Sequence, residues 1–180
     1  MTVIPGRAHS VRSRNDETDL TPLRRCGIEC AGLKRTGLFV GDFVNKRHFT
    51  IDWAYCDPAG IVFNSRFFEF FDTSSWHLFE AALGVKPHKM SETFEILGVP
   101  LVDARAKFMV PAKFGDVVEM HSFIGEFRRS SFEVCHQILV DGQLAVDGSE
   151  TRVWAALDPA TGQLKTKPIP AEVMAKFKTP

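Results

Sequence analysis

No apolar run in the chain approaches the roughly 20 residues that a bilayer-spanning helix requires, so the sequence predicts a protein that neither crosses nor inserts into a membrane. An excess of charge of one sign is missing too. Lysine plus arginine number 22, as do aspartate plus glutamate, and a balanced chain has no global field to draw it to nucleic acid or to an anionic membrane. Any anion site must be local. Cysteine is sparse: Cys26, Cys30, Cys56 and Cys135 lie in unlike contexts, without the dense spacing of a small secreted disulfide scaffold. A reducing, cytoplasmic location is therefore expected. Cys26 and Cys30 resemble half of a zinc site, but no second ligand pair at metal spacing follows, so the sequence predicts free thiols and no metal. There is no G-x-S-x-G elbow, which argues against a serine-dependent α/β-hydrolase.

What is present is enough for one domain: 180 residues, 44% hydrophobic and 24% charged, an ordinary balance for a globular protein. Residues 1–45 carry scattered arginines interrupted by Asp16, Glu17 and Asp19, with no apolar signal-peptide core and no sustained periodicity. They are expected to be a poorly ordered extension, with the folded domain spanning 46–180.

From His48 to Trp53 polar and apolar residues alternate, as in a half-buried strand. Cys56-Asp57-Pro58-Ala59-Gly60 then has the chemistry of a tight turn. Asn64 to Leu83 contains no proline or glycine, with Asn64 placed as N-cap and Gly84 just past the end, and should be a helix. Its apolar positions cover more than one stripe, which predicts burial on most sides, under a sheet that curls around it. A short helix is expected from Ser91. Strands are expected over Val99–Phe108, Asp116–Phe127, Ser131–Val140 and Gln143–Leu157, with Asp141-Gly142 as a two-residue hairpin turn. A change of phase near Gly148 suggests a bulge there. Asp158–Gly162 reads as a turn and Ala171–Lys178 as a short terminal helix.

The run Trp53-Ala54-Tyr55-Cys56-Asp57-Pro58-Ala59-Gly60-Ile61-Val62-Phe63, followed by a helix carrying Phe70-Phe71-Asp72, resembles the active-site segment of the 4-hydroxybenzoyl-CoA thioesterase family. Glu126-Phe127-Arg128-Arg129-Ser130-Ser131-Phe132 resembles that family's later hairpin. The similarity runs from about Lys46 to the C-terminal region, and two motifs at compatible separation make it more specific than D-P-A-G alone. The resemblance implies an α+β hotdog fold, an antiparallel five-stranded sheet wrapped around a long central helix, which the strand order reached from the residues agrees with. It also implies a homodimer that joins its sheets and shares its active sites, commonly paired into a homotetramer. The activity implied is hydrolysis of an aromatic acyl-CoA such as 4-hydroxybenzoyl-CoA, with no cofactor beyond the CoA of the substrate.

Thioester hydrolysis needs a group that attacks the carbonyl or activates water, and donors for the oxyanion. Asp57 is the candidate nucleophile or general base, although an aspartate before proline often only caps a turn. It lies seven residues before Asn64, where the free N–H groups and dipole of a helix start favour negative charge. By resemblance, Asn64 supplies the amide. Pro58 sets the motif apart from the related Tol-Pal-associated thioesterases. Arg128 and Arg129 are candidates for the CoA phosphates, through forked guanidinium pairing, but paired arginines at a hairpin tip are ordinarily solvated charge, and Ser130 replaces a third basic residue. Asp72 is either a partner for a phenolic hydroxyl, as the resemblance implies, or an exposed helix acid. Phe63, Phe67, Phe68 and Phe127 are candidates for an acyl pocket or simply core, and Phe63 and Phe127 stand where the family tends to have tryptophan. His77, His121 and His136 are read as structural. The alternatives are a short or branched aliphatic acyl-CoA thioesterase and a noncatalytic acyl-CoA-binding hotdog protein. A hotdog dehydratase is disfavoured, since no histidine lies between Asp57 and Phe67.

Overall fold

Alternation along the chain becomes five antiparallel strands of one sheet in a computed structural model, which describes residues 43–178. The expectations for residues 1–42, including the free thiols of Cys26 and Cys30, lie outside the described residues. The strands are β1 (Val44–Thr50), β2 (Leu101–Phe108), β3 (Val117–Phe127), β4 (Ser131–Val140) and β5 (Gln143–Val153), in the spatial order β1-β3-β4-β5-β2. The turn between β4 and β5 holds Asp141 at φ 49° and Gly142 at φ 76°, the two left-handed residues that a right-twisted hairpin of this length demands.

Helix α1 (Asn64–Leu83) has the predicted bounds and stops at Gly84, whose φ of 67° lets its N–H reach back to Glu80 O. It buries Phe67, Phe70, Phe71, Ser74, Ser75, Leu78 and Phe79 against the sheet. Asn64, Glu69, Asp72, Thr73 and His77 remain exposed, so the helix is covered on one broad face rather than on most sides. The buried face divides the core into two parts. Phe67, Phe70 and Phe71 pack with Val118, Met120, Ile138 and Val146, and Leu78 and Phe79 pack with Phe132, Val134, Trp154 and Val173.

Several expected details shift. Asn64 is the first helical residue, and the cap position belongs to Phe63, which has no side-chain cap bond. The first strand starts at Val44 and ends at Thr50, because Asp52 accepts a 2.8 Å bond from Ala54 N–H and turns Trp53–Tyr55 into a 3-10 turn. The last long strand breaks at Trp154. Beyond it, β6 (Ala155–Leu157) pairs with β7 (Leu164–Thr166), closing the Asp158–Gly162 turn into a further hairpin that the sequence alone does not predict. The β4–β5 register is regular through Gly148 and shifts at Ile138/Leu139, opposite Ala145. Gly148 has a different reason to be glycine, since a Cβ there would lie 2.3 Å from Phe71 Cζ. The two short helices are α2 (Met90–Phe94), preceded by a 3-10 turn, and α3 (Ala171–Ala175). No helix among the described residues is long and apolar enough to cross a membrane.

Candidate active site

The Asp57 turn is built from local bonds. Asp57 Oδ1 accepts from Ala59 N–H at 2.8 Å, Gly60 N–H donates to Asp57 O, and Asp57 N–H donates to Ile61 O. Gly60 closes the turn at φ 76°, a conformation that strains any residue with a Cβ. The chain therefore doubles back, Cys56 bridges to Val62, and Phe63 N–H donates to Tyr55 O. This fold-back delivers the backbone directly into α1. The capping role weighed for Asp57 is real, and it uses one carboxylate oxygen. Among the described residues no protein group bonds the other.

At the start of α1, Arg66 N–H donates to Phe63 O, while the N–H groups of Asn64 and Ser65 have no acceptor among the described residues. These are the orphan donors of a helix start, with no side chain capping them. Of the two, Asn64 lines a cleft of about 280 Å³ whose walls include Ile61, Phe67, Phe108, Val110 and Ala112, and Ser65 follows it just outside that lining. The cleft's far wall is pinned by the register shift in β5, where Ala145 O accepts from both Met109 and Val110 N–H. Phe67 is buried and its ring lies 5.2 Å from that of Phe108, which is 49% exposed.

Asn64 and Phe67 line the cleft, while Asp57, in the turn that leads to its Ile61 and Val62 wall, and the exposed Phe63 lie outside its lining. Asp72 goes elsewhere. Its carboxylate accepts a 2.6 Å bond from Arg152 Nη2. Arg128 and Arg129 lie at the exposed β3–β4 turn, where Arg128 pairs with Glu126 at 2.7 Å. The cleft adjoins the other end of β3, and 11 residues of strand span roughly 30 Å. One chain does not place these arginines at its own cleft. Phe68 and Phe127 pack against the two halves of the core.

Between those halves lies a polar belt that the sequence reading missed. Arg152 Nε donates to Glu150 Oε2 at 3.0 Å, Ser75 Oγ donates to the same oxygen at 2.7 Å, and His136 Nε2 lies 3.4 Å from it. On its other side, His136 Nδ1 is 2.9 Å from Ser122 Oγ, and its ring stacks on Phe71 at 4.7 Å. Burial holds His136 below its ordinary pKa, despite the neighbouring Glu150. Burial alone would raise the Glu150 carboxyl, but His136, Arg152 and the Ser75 hydroxyl outweigh it and hold it low. A signal was present in the sequence: Glu150 and Arg152 are two charged residues at i, i+2, hence on one face of a strand. Among the described residues no cluster of three metal-ligating side chains occurs.

A family model described as the thioesterase-like superfamily matches residues 51–177. The 4-hydroxybenzoyl-CoA thioesterase of Pseudomonas sp. (strain CBS-3) is 31% identical over 128 residues, covering 68% of this chain and 89% of that protein. Its solved structure superposes with a TM-score of 0.66 at 28% identity, covering 74% of this chain and 98% of that one. An aspartate-to-asparagine mutant of that enzyme, complexed with 4-hydroxybenzoyl-CoA, superposes at 0.67 with the same coverage. A gentisyl-coenzyme A thioesterase is similar at 31% identity and a TM-score of 0.62, covering 72% of this chain and 99% of that one.

Proposed function

The chain belongs to the thioesterase-like superfamily and is a thioester-hydrolysing enzyme of the hotdog fold, and from that premise we propose that it hydrolyses an aromatic acyl-CoA, with 4-hydroxybenzoyl-CoA within its range, to the free acid and CoA. The observation that carries this reading is the pair of unbonded N–H groups at Asn64 and Ser65, the first of them on the wall of an apolar cleft that the segment after the Asp57 turn also lines through Ile61 and Val62. The thioester carbonyl lies against those donors. Negative charge developing on its oxygen is stabilised there by donors already in place and by the positive end of the helix. The unbonded oxygen of Asp57 either attacks the carbonyl carbon, expelling the CoA thiolate and leaving an acyl anhydride on Asp57 that water then hydrolyses to the free acid, or takes a proton from a water that attacks that carbon as the C–S bond breaks and the thiolate leaves. No cofactor beyond the CoA of the substrate takes part.

Two copies joined through their sheets complete the site. Since the arginines are far from their own cleft, Arg128 and Arg129 serve the phosphates of a CoA whose acyl end lies in another copy's cleft, and pairs of dimers form a tetramer. The apolar cleft wall also supports a second reading, a short or branched aliphatic acyl group in place of the ring.

Asp57→Asn tests the chemistry. Removing the charge while keeping the turn-capping oxygen should leave the fold and substrate binding intact and lower kcat by about 10²–10⁴-fold, measured by thiol release and by calorimetric titration. Wild-type turnover in the variant eliminates the assigned role. Binding of acyl-CoA by the wild-type protein with no thiol release would identify a binding protein instead.

A further inference from the structure

A second turn backs the Asp57 turn. Phe114 N–H donates to Gly60 O at 3.1 Å and Val62 N–H donates to Ala112 O at 2.9 Å, with Ile61 bridged to Lys113 between them. Gly60 and Ile61 are also the residues that hold the Asp57 backbone, the first by donating to Asp57 O and the second by accepting from Asp57 N–H. The path of residues 112–114 therefore sets the arm of the turn that grips Asp57.

That path is set by Asp116. Its Oδ2 accepts from Lys113 N–H at 2.7 Å, and its own N–H donates to Lys113 O at 3.1 Å, so the turn Lys113–Asp116 is closed twice. Gly115, at φ 86°, supplies the left-handed third residue for which such turns use glycine. The same turn is tied to the chain that leads into Asp57, since Gly115 N–H donates to Ile51 O and Ile51 N–H to Asp116 O. The rings of Trp53 and Phe114 meet edge to face at 5.7 Å across this junction, although both are more than half exposed. Of these bonds, the one from Lys113 N–H depends on a side chain, so a single substitution removes it.

Resting on the thioesterase reading with Asp57 in its proposed role, we propose that Asp116 is a positioning residue for that carboxylate. It fixes the Lys113–Asp116 turn, the turn holds Gly60 and Ile61, and these hold Asp57 in the orientation that the reaction needs. Every link lies within one chain, and none depends on what a second copy adds to the cleft. A displacement of about 1 Å at a reacting group costs on the order of 100-fold in rate.

Steady-state thiol release from 4-hydroxybenzoyl-CoA by the full chain tests this. Asp116→Ala should lower kcat by about 10-fold to 100-fold with KM within about threefold of wild type. Asp116→Asn keeps the acceptor for Lys113 N–H and should stay within about threefold of wild type in both. In an Asp57→Asn background, Asp116→Ala should cost no more than about twofold, because the carboxylate it would misplace is gone. Phe114→Pro suits the second position of a turn but lacks the N–H that holds Gly60 O. It breaks the link at another point and should show the same fall in kcat, so the test stands even where Asp116→Ala does not fold. Wild-type kcat in Asp116→Ala or Phe114→Pro, an equal loss from Asp116→Ala in the two backgrounds, or an Asp116→Asn variant as impaired as Asp116→Ala overturns the inference and leaves the thioesterase reading standing. Wild-type turnover by Asp57→Asn alone overturns the role of Asp57, and the inference with it.

Discussion

Asp57 and Gly148 show how single residues answer to geometry that the sequence displays only in part. Asp57 spends Oδ1 on Ala59 N–H, and that bond fixes the direction in which its other oxygen is presented. On the role proposed for Asp57, one turn would serve both the fold and the chemistry. Gly148 is where Phe71 of α1 meets the sheet, its ring sitting in the space a side chain would occupy. Substituting Gly148→Ala forces that ring, fully buried beside His136, to move inside a packed core. The expected cost is about 1–3 kcal/mol, as for other overpacked sites, read as a lowered urea midpoint with an unchanged slope. An Ala variant as stable as wild type would mean that the helix can ride away from the sheet. The glycine was visible in the sequence as a break in alternation, but its cause was not, because the residue that needs the space lies 77 positions earlier.

At the scale of elements, what could be read locally was read well. Helix α1 is bounded by a glycine with φ 67°, and the Asp141-Gly142 turn depends on two adjacent residues, so neighbouring chemistry sufficed. The ends of β1 and β5 were misjudged because contacts across the fold decide them: a 3-10 turn diverts the chain after β1, and Trp154 N–H is taken by Ser130 O. The polar belt is the least legible element of all. Arg152 joins residues 80 positions apart when it clamps Asp72, and α1 and β5 are thereby tied together across the core. Arg152→Met should strand the Glu150 carboxylate and cost about 3–5 kcal/mol, while adding Glu150→Leu should recover part of that loss, because a buried ion pair is far costlier to halve than to replace. Equal stability of the single and double variants in urea would refute the coupling. The belt also sets a pH dependence. His136 is held neutral in the fold by burial, whereas in the unfolded chain it titrates near ~6.5. Below that pH the unfolded state binds a proton that the folded state refuses. The stability His136 contributes is thus present above ~6.5 and lost on acidification, with a slope of up to about 1.4 kcal/mol per pH unit. Glu150, held low, adds a further loss at more acid pH. His136→Gln should flatten the fall in urea midpoint between pH 7.5 and 5.5, and parallel profiles for variant and wild type would contradict this account.

For the whole molecule, the two edge strands of the sheet among the described residues, β1 and β2, are unlike. β1 is polar, with Lys46, Arg47 and His48 in its centre, and charged edges resist pairing with another chain. β2 is the opposite case: Leu101, Val102 and Phe108 are exposed at 46%, 59% and 49%, and Met109 follows at 42%. Among the described residues no strand pairs with the outer edge of β2, and an apolar edge of this kind is a template for a second strand, which a second copy of this chain would supply by symmetry. Phe108 and Met109 line the cleft as well as ending this edge, so in the dimer proposed above a copy paired along β2 would sit against the cleft mouth and the two sites would depend on association. Val102→Lys puts an ammonium into that contact from each copy and should weaken it by at least an order of magnitude, because each charge must be desolvated there without a partner. In sedimentation at micromolar concentration the wild type should run at no less than twice the 20.2 kDa chain mass. The variant should shift toward a species smaller by half with kcat/KM falling in step, and should regain activity as protein concentration rises. A wild-type protein that is monomeric and fully active, or a variant that stays associated, would place the interface elsewhere and return the cleft to a single chain.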